Sequence, residues 1–244
     1  MSDIGSRILH CDATCVVVNK IPGEAAEGAG GGMVCLPTLL AAELDAPGDP
    51  PRAVHRLDVP VSGCSLFARN AAALRFLSDA FAMGAVRKRY WAIVEPPQGG
   101  LDPARFSGAV DLVHWIRFDP RRNRSTAHDE PGPGRKRAIL RCGLVGRGRD
   151  YLFMEIDLVT GRHHQIRAQL ERLGLRIKGD LKYGAKRSEK AGGIRLHARS
   201  LSFPDPAGGG RIAVRADPPL PDGLWQAFGE AAGAPANTPG DFCT

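Results

Sequence analysis

The chain has 244 residues, 43% of them hydrophobic, with a formal net charge of +7. That length supports one large domain or two small ones, and the apolar content suits a globular core. The apolar runs are far too short to span a bilayer, and the Met-Ser-Asp-Ile-Gly start reads as no secretory leader, so the expected location is the cytoplasm with no membrane partner.

The charge favours a polyanionic partner, because each Lys or Arg set against a phosphate releases condensed counterions. The basic residues cluster at 117–124, 135–141 and 182–190, which carries more weight than the net charge. Six cysteines stand at 11, 15, 35, 64, 142 and 243, none in a C-x-x-C pair. They read as reduced thiols. Cys11 and Cys15 match metal spacing loosely, and no second Cys/His pair lies near them, so no zinc is expected there.

In chain order, residues 14–19 are β-branched and apolar, the mark of a buried strand. Lys20-Ile21-Pro22-Gly23 reads as a turn, and 23–32 as a mobile Gly/Ala loop with little to bury. A short strand is expected at Leu66–Arg69. A helix follows it, capped by Asn70, with Leu74, Leu77, Ala80 and Phe81 at helical spacing and Gly84 as its stop. Arg89–Glu95 reads as a strand ending at Pro96-Pro97. Alternation recurs at 109–118 and 138–145 and is cleanest at 151–159. Residues 119–136, rich in Pro, Gly and Arg, read as a loop or pair of turns. A helix is expected from about His163 to Leu173, a strand at Ile194–Phe203 and a last helix near Gly223–Ala231, followed by a fraying tail at 232–244. Many strands and few helices, without regular alternation, indicate an α+β fold.

Four segments concentrate chemistry. The first is His55-Arg56-Leu57-Asp58 followed by Ser62-Gly63. A carboxylate can act as a nucleophile in glycosyl chemistry or stabilise a cationic anomeric carbon. It can equally cap the turn at Val59-Pro60, which on residue type alone is the commoner role. Arg56 lies on the same side as Asp58 if the segment is extended. His55 could meet phosphate, stack, or be a buried hydrogen-bonding histidine. The second segment, Lys88-Arg89-Tyr90, offers a ring to stack on an extruded base, or a core tyrosine; Trp91 points the other way and reads as packing. The third is Thr160-Gly161-Arg162-His163-His164-Gln165-Ile166-Arg167, where His163 and Arg167 share a helix face at spacing four. Adjacent histidines diverge on a helix and no acid sits at the right offset, so this is not read as a metal site. Arg162 and His164 read as contacts to a phosphate backbone. The fourth, Gly179-Asp180-Leu181-Lys182-Tyr183-Gly184, reads as a structural turn.

In this order and with these gaps, the four segments resemble the RluA-type family of RNA pseudouridine synthases, over about residues 14–206. The resemblance implies an α+β fold with a mixed, largely antiparallel sheet, flanking helices and a central active-site cleft. It implies a single catalytic domain over 1–244, without the N-terminal S4 module that the family often carries. Asp58 would be the essential catalytic residue. Arg56 would fill the stack left by the flipped nucleotide, Tyr90 would pack on the uracil and take the C5 proton, and Arg167 would pair with Asp58 and keep it ionised. Leu196 would line the uracil pocket. The partner would be structured RNA, ribosomal or transfer, bound by a monomer. The isomerisation is redox-neutral and needs no cofactor, and no dinucleotide or P-loop signature is present. Val59, Val61 and His163 depart from the family pattern at positions expected to touch RNA. A non-catalytic RNA-binding or ribosome-assembly factor on the same fold is the alternative reading.

Overall fold

The computed structural model describes residues 3–28, 35–46, 48–100, 106, 108–219 and 221–233. The end of the expected Gly/Ala loop and most of the expected tail lie outside them. In chain order the elements are β1 (Ile8–Cys11), β2 (Cys15–Lys20), α1 (Leu36–Glu43), β3 (Arg52–Ala53), β4 (Ser62–Ala68), α2 (Ala71–Ala82), β5 (Arg87–Glu95), β6 (Val110–Asp119), β7 (Arg124–His128), β8 (Arg135–Arg147), β9 (Leu152–Leu158), α3 (Gln165–Arg172), β10 (Arg176–Ile177), β11 (Leu196–Pro204), β12 (Arg211–Arg215) and α4 (Gly223–Ala231). The class is α+β, with a mixed, largely antiparallel arrangement of strands.

The chain divides into two compact units, one holding the residues up to Lys88 with the segment His197–Leu220, the other Arg89–Leu196 with the segment of α4. In the first unit the strands run β1-β2-β4-β11, with β12 beside β11 and β3 beside β4. The β4–β11 pair is parallel and the others are antiparallel. β2 alternates between two cores. Val16 and Val18 pack with Phe67, Leu36 and Leu40 on the α1 side; Cys15 and Val17 pack with Leu66, Leu77 and Ala80 on the α2 side. That double coverage explains why β2 reads as a continuous apolar run. Asn70 caps α2 as expected, its side chain accepting from the Ala73 amide at 2.9 Å.

In the second unit the order is β5-β9-β8-β6-β7, all antiparallel, with β10 beside β5. α3 covers one face through Ala168 against Ile116, Ala127 and Ala138. α4 covers Trp91, Ile93 and Phe153 with Trp225 and Phe228, and Trp91 stacks on Phe228 at 4.5 Å, the packing role its strand position indicates.

Two expectations are corrected here. Residues 119–136 are not all loop, because β7 pairs with β6 across a turn at 120–123. Asp119 accepts from the Arg121 and Arg122 amides to fold that turn. Its Arg-Ser-Thr-Ala-His sequence has little β propensity, so tertiary pairing decides it. The segment after Gly23 is not idle either: Glu24, Ala25 and Ala26 are buried.

Candidate active site

Asp58 sits on a tight turn in the first unit, closed by the Val61 amide donating to the Asp58 carbonyl at 2.9 Å. Lys20 anchors this turn. Its ammonium is fully buried and donates to the carbonyls of Val59 (3.0 Å), Val61 (2.6 Å) and Ile21 (3.1 Å). The Gly23 amide donates to Val59 as well, at 2.9 Å. Burial pushes the Lys20 pKa down to about 8, against the upward pull of Glu24 and Asp58. Glu24 in turn forms a bidentate pair with Arg7, both bonds 2.9 Å, and accepts from the Ile21 amide at 3.0 Å. A lysine ending a strand ordinarily reads as solvated, so sequence reasoning passed over Lys20.

Ser62-Gly63 is the start of β4. Ser62 and Gly63 run parallel to His197 and Ala198. Gly63 has φ +112°, and a Cβ there would stand 2.3 Å from the Ala198 carbonyl oxygen, so only glycine fits. Ser62 Oγ lies 2.9 Å from His197 Nδ1, and His197 Nε2 donates to the Ala216 carbonyl at 2.9 Å. The strand after Asp58 is thereby fixed at its first residues.

Arg56 is exposed and pairs with Glu27 at 3.3 Å, so it reaches solvent where a nucleic acid could meet it. His55 does the opposite. Its ring stacks on Phe81 at 5.0 Å and its Nε2 accepts from the Leu66 amide at 3.2 Å. Burial, aided by Lys88, holds its pKa down to about 3, so it is neutral at pH 7. Of the roles open to His55 in sequence, the contacts match the internal hydrogen-bonding one.

In the second unit, Tyr90 lies on β5, 7% exposed, paired in register with Ile156. Leu196 opens β11 and is buried. Arg167 lies on α3 and is gripped by Asp180: Nε to Oδ2 at 2.7 Å and Nη2 to Oδ1 at 2.8 Å, both side chains buried. Asp180, read from sequence as part of a plain turn, is thus the residue that orients Arg167. The Tyr183 ring lies beside Arg167 and Arg124, with guanidinium carbons 4.8 and 4.9 Å from its centroid. Tyr183 Oη accepts from the Ser125 amide at 2.9 Å, and burial pushes its pKa up to about 12.

The helix starts two residues later than the spacing predicts, because His164 takes a left-handed conformation (φ +50°) just before it. His163 is therefore outside the helix and does not share its face with Arg167. Gln165, unremarked in the sequence, holds this bend. It accepts from Thr160 Oγ1 (2.8 Å) and the Arg162 amide (2.9 Å), and donates to the Ile139 carbonyl (3.0 Å). Arg162 is exposed, as an RNA-backbone contact requires. His164, expected to share that role, turns inward instead. It is 8% exposed with Nδ1 3.0 Å from Tyr183 Oη, and burial together with the charges of Arg167, His163 and Lys182 pushes its pKa down to about 3. A buried neutral imidazole offers nothing to a phosphate.

Among the described residues, one trio of metal-ligand type converges, His10, Asp12 and Cys15. Its atoms are already used: Asp12 accepts from the Thr14 and Cys15 amides at 2.6 and 2.8 Å and contacts His10 Nε2 at 2.8 Å. Burial pushes the Cys15 thiol up to about 12, keeping it protonated. The arrangement is an Asp-capped turn between β1 and β2.

Residues 14–172 match the family model described as RNA pseudouridylate synthase. The chain belongs to the RNA pseudouridine synthase family. An uncharacterised RNA pseudouridine synthase of Zymomonas mobilis is 33% identical over 222 residues, covering 91% of this chain and 96% of that one. A protein named tRNA pseudouridine synthase C, from Haemophilus ducreyi, is 32% identical over 184 residues, 71% of this chain and 73% of that one. The solved structure of human RNA pseudouridylate synthase domain containing 4 has the same fold, with TM-score 0.69 over 94% of each chain at 22% identity. RNA pseudouridine synthases are isomerases acting on RNA. Among the described residues no helix is long and apolar enough to cross a membrane.

Proposed function

We propose that this synthase converts uridines in structured RNA to pseudouridine with Asp58 as its catalytic carboxylate. The observation that carries the reading is the anchoring of the Asp58 turn by a buried ammonium. Lys20 donates to the carbonyls of Val59 and Val61, on the residues that follow Asp58, and this fixes the backbone that presents the carboxylate. A buried lysine bonded to three carbonyls is costly to build, and positioning a reacting group repays such a cost.

The chemistry is an exchange of glycosidic bonds. The N1–C1′ bond breaks, the freed uracil turns, C5–C1′ forms, and the C5 proton leaves while N1 gains one. Atoms and electrons balance without an external oxidant. Asp58 acts at the sugar carbon as it becomes cationic. Tyr90 packs on the uracil and takes the C5 proton, with Leu196 lining the base pocket. Arg167, whose guanidinium Asp180 orients, is assigned as the partner of the Asp58 carboxylate. The uridine must leave its stack, which costs a few kcal/mol, least in a loop. Arg56 fills the vacated place and Arg162 holds backbone phosphate. The Haemophilus relative's name favours transfer RNA over ribosomal RNA as substrate. We assign the activity to a monomer in the cytoplasm, acting as one catalytic domain.

The test is tritium release from 5-tritiated uridine in transfer and ribosomal RNA transcripts, with RNA affinity measured in parallel. Asp58→Asn abolishes release and leaves affinity within about threefold of wild type, since an uncharged isostere removes chemistry but not phosphate contacts. Appreciable release by Asp58→Asn removes Asp58 from the mechanism. RNA binding by the wild type without release on any transcript establishes the non-catalytic reading instead.

A further inference from the structure

We propose that Phe118 and His163 form a stacking platform for an unpaired nucleobase of the RNA, a second base-binding position besides the one assigned to Tyr90. The inference rests on RNA being the substrate. It begins with the alternation of β6. Leu112, His114 and Ile116 share one face and are buried at 8%, 6% and 4% exposure; Phe118, next on that face, is 43% exposed. The strand carries its inward pattern past the cover that α3 provides.

Phe118 is the outermost ring of an ordered series. Its centroid is 4.1 Å from that of His163; His163 stacks on His164 at 3.8 Å; His164 meets the edge of Tyr183 at 5.7 Å. Ser125 locks the middle of the series. Its Oγ donates to the His163 carbonyl at 2.7 Å and lies 3.1 Å from His163 Nδ1. Ser125 stands directly opposite Phe118 in the β6–β7 ladder, so the two side chains emerge on the same face. A ring held this way has lost its freedom before any ligand arrives, which lowers the cost of stacking on it.

A single exposed aromatic is ordinary on a protein surface. This one differs in its surroundings. Arg162 and Lys182 are exposed, Lys182 reaching the Asn123 carbonyl at 3.2 Å, and Arg121 and Arg122 stand exposed on the turn that Phe118 leads into. A flat apolar ring among cations is how proteins hold single-stranded nucleic acid: bases stack while cations follow the phosphates. The site is also distinct from that of Tyr90. Two strands, β9 and β8, separate β5 from β6. Three strand spacings come to about 14 Å, too far for one base to touch both.

The experiment measures binding of fluorescein-labelled decauridylate, and of an abasic ribose-phosphate strand of equal length, by fluorescence anisotropy at fixed salt. Phe118→Ala weakens decauridylate roughly tenfold and changes the abasic strand by less than about twofold, because only stacking is lost. Phe118→Trp binds decauridylate at least as well as wild type, which separates loss of the ring from loss of fold. Equal weakening of both strands by Phe118→Ala, no weakening of either, or a wild type that does not bind decauridylate overturns the proposal. Tritium release on the same preparations keeps the two readings apart. A wild type without release sinks the catalytic assignment, while the base-dependent difference in affinity still decides the platform.

Discussion

At the scale of single residues, the Asp58 turn depends on a side chain thirty-eight positions earlier in the sequence, because Lys20 Nζ is the donor to the Val59 and Val61 carbonyls. Lys20→Met keeps the stem and removes the donor. It relieves the cost of a buried charge but leaves carbonyls short of a partner, a loss of about 1–3 kcal/mol. The expected outcome is a modest fall in urea midpoint and a fall in kcat larger than any rise in KM, read by tritium release against RNA concentration. A variant with wild-type kcat shows that the turn holds itself. The same scale explains Asp180. Removing either member of a buried pair strands the other, so Arg167→Ala confounds chemistry with folding.

At the scale of elements, two buried histidines tie segments together in their neutral form. His197 joins β4 to β11 and the Ala216 carbonyl, and burial pushes its pKa down to about 4; His164 before α3 is pushed down to about 3. Their folded pKa values lie below the unfolded value of 6.5, so the unfolded chain binds more protons between the two. The stability is complete above pH 6.5 and is lost as pH falls towards 4, with a slope of up to ~1.4 kcal/mol per pH unit for each group. Urea midpoints at pH 7 and pH 5 measure this, and His197→Asn shows a smaller difference than wild type; an unchanged difference contradicts the account. Element by element, legibility in the sequence followed local signals. α2 is readable because Asn70 and Gly84 punctuate a clean apolar stripe, and α4 lies where the sequence predicts it, with Asp222 found as its cap. β7 is not readable, because its partner β6 rather than its own residues makes it a strand, and α3 is mis-started because nothing local announces a left-handed histidine.

At the scale of the whole molecule, motif order carries the family and the tally of strands and helices carries the α+β class, while the internal supports of the site are invisible in the sequence. Lys20 and Gln165 act by burial and hydrogen bonding, which a residue's type and spacing do not express, and Asp180 looked like any turn aspartate until its partner was placed. His164, a basic residue in a basic motif, faces inward. The excess charge of +7 is carried in part by exposed Arg121, Arg122, Arg162 and Lys182, groups suited to a phosphate backbone. The most direct test of the central claim is a pseudouridine map of total RNA from cells lacking this chain, complemented with wild type or with Asp58→Asn. The account predicts at least one uridine site that loses its modification, regains it with wild type and stays unmodified with Asp58→Asn. A map that is unchanged by the loss, or restored by Asp58→Asn, contradicts it.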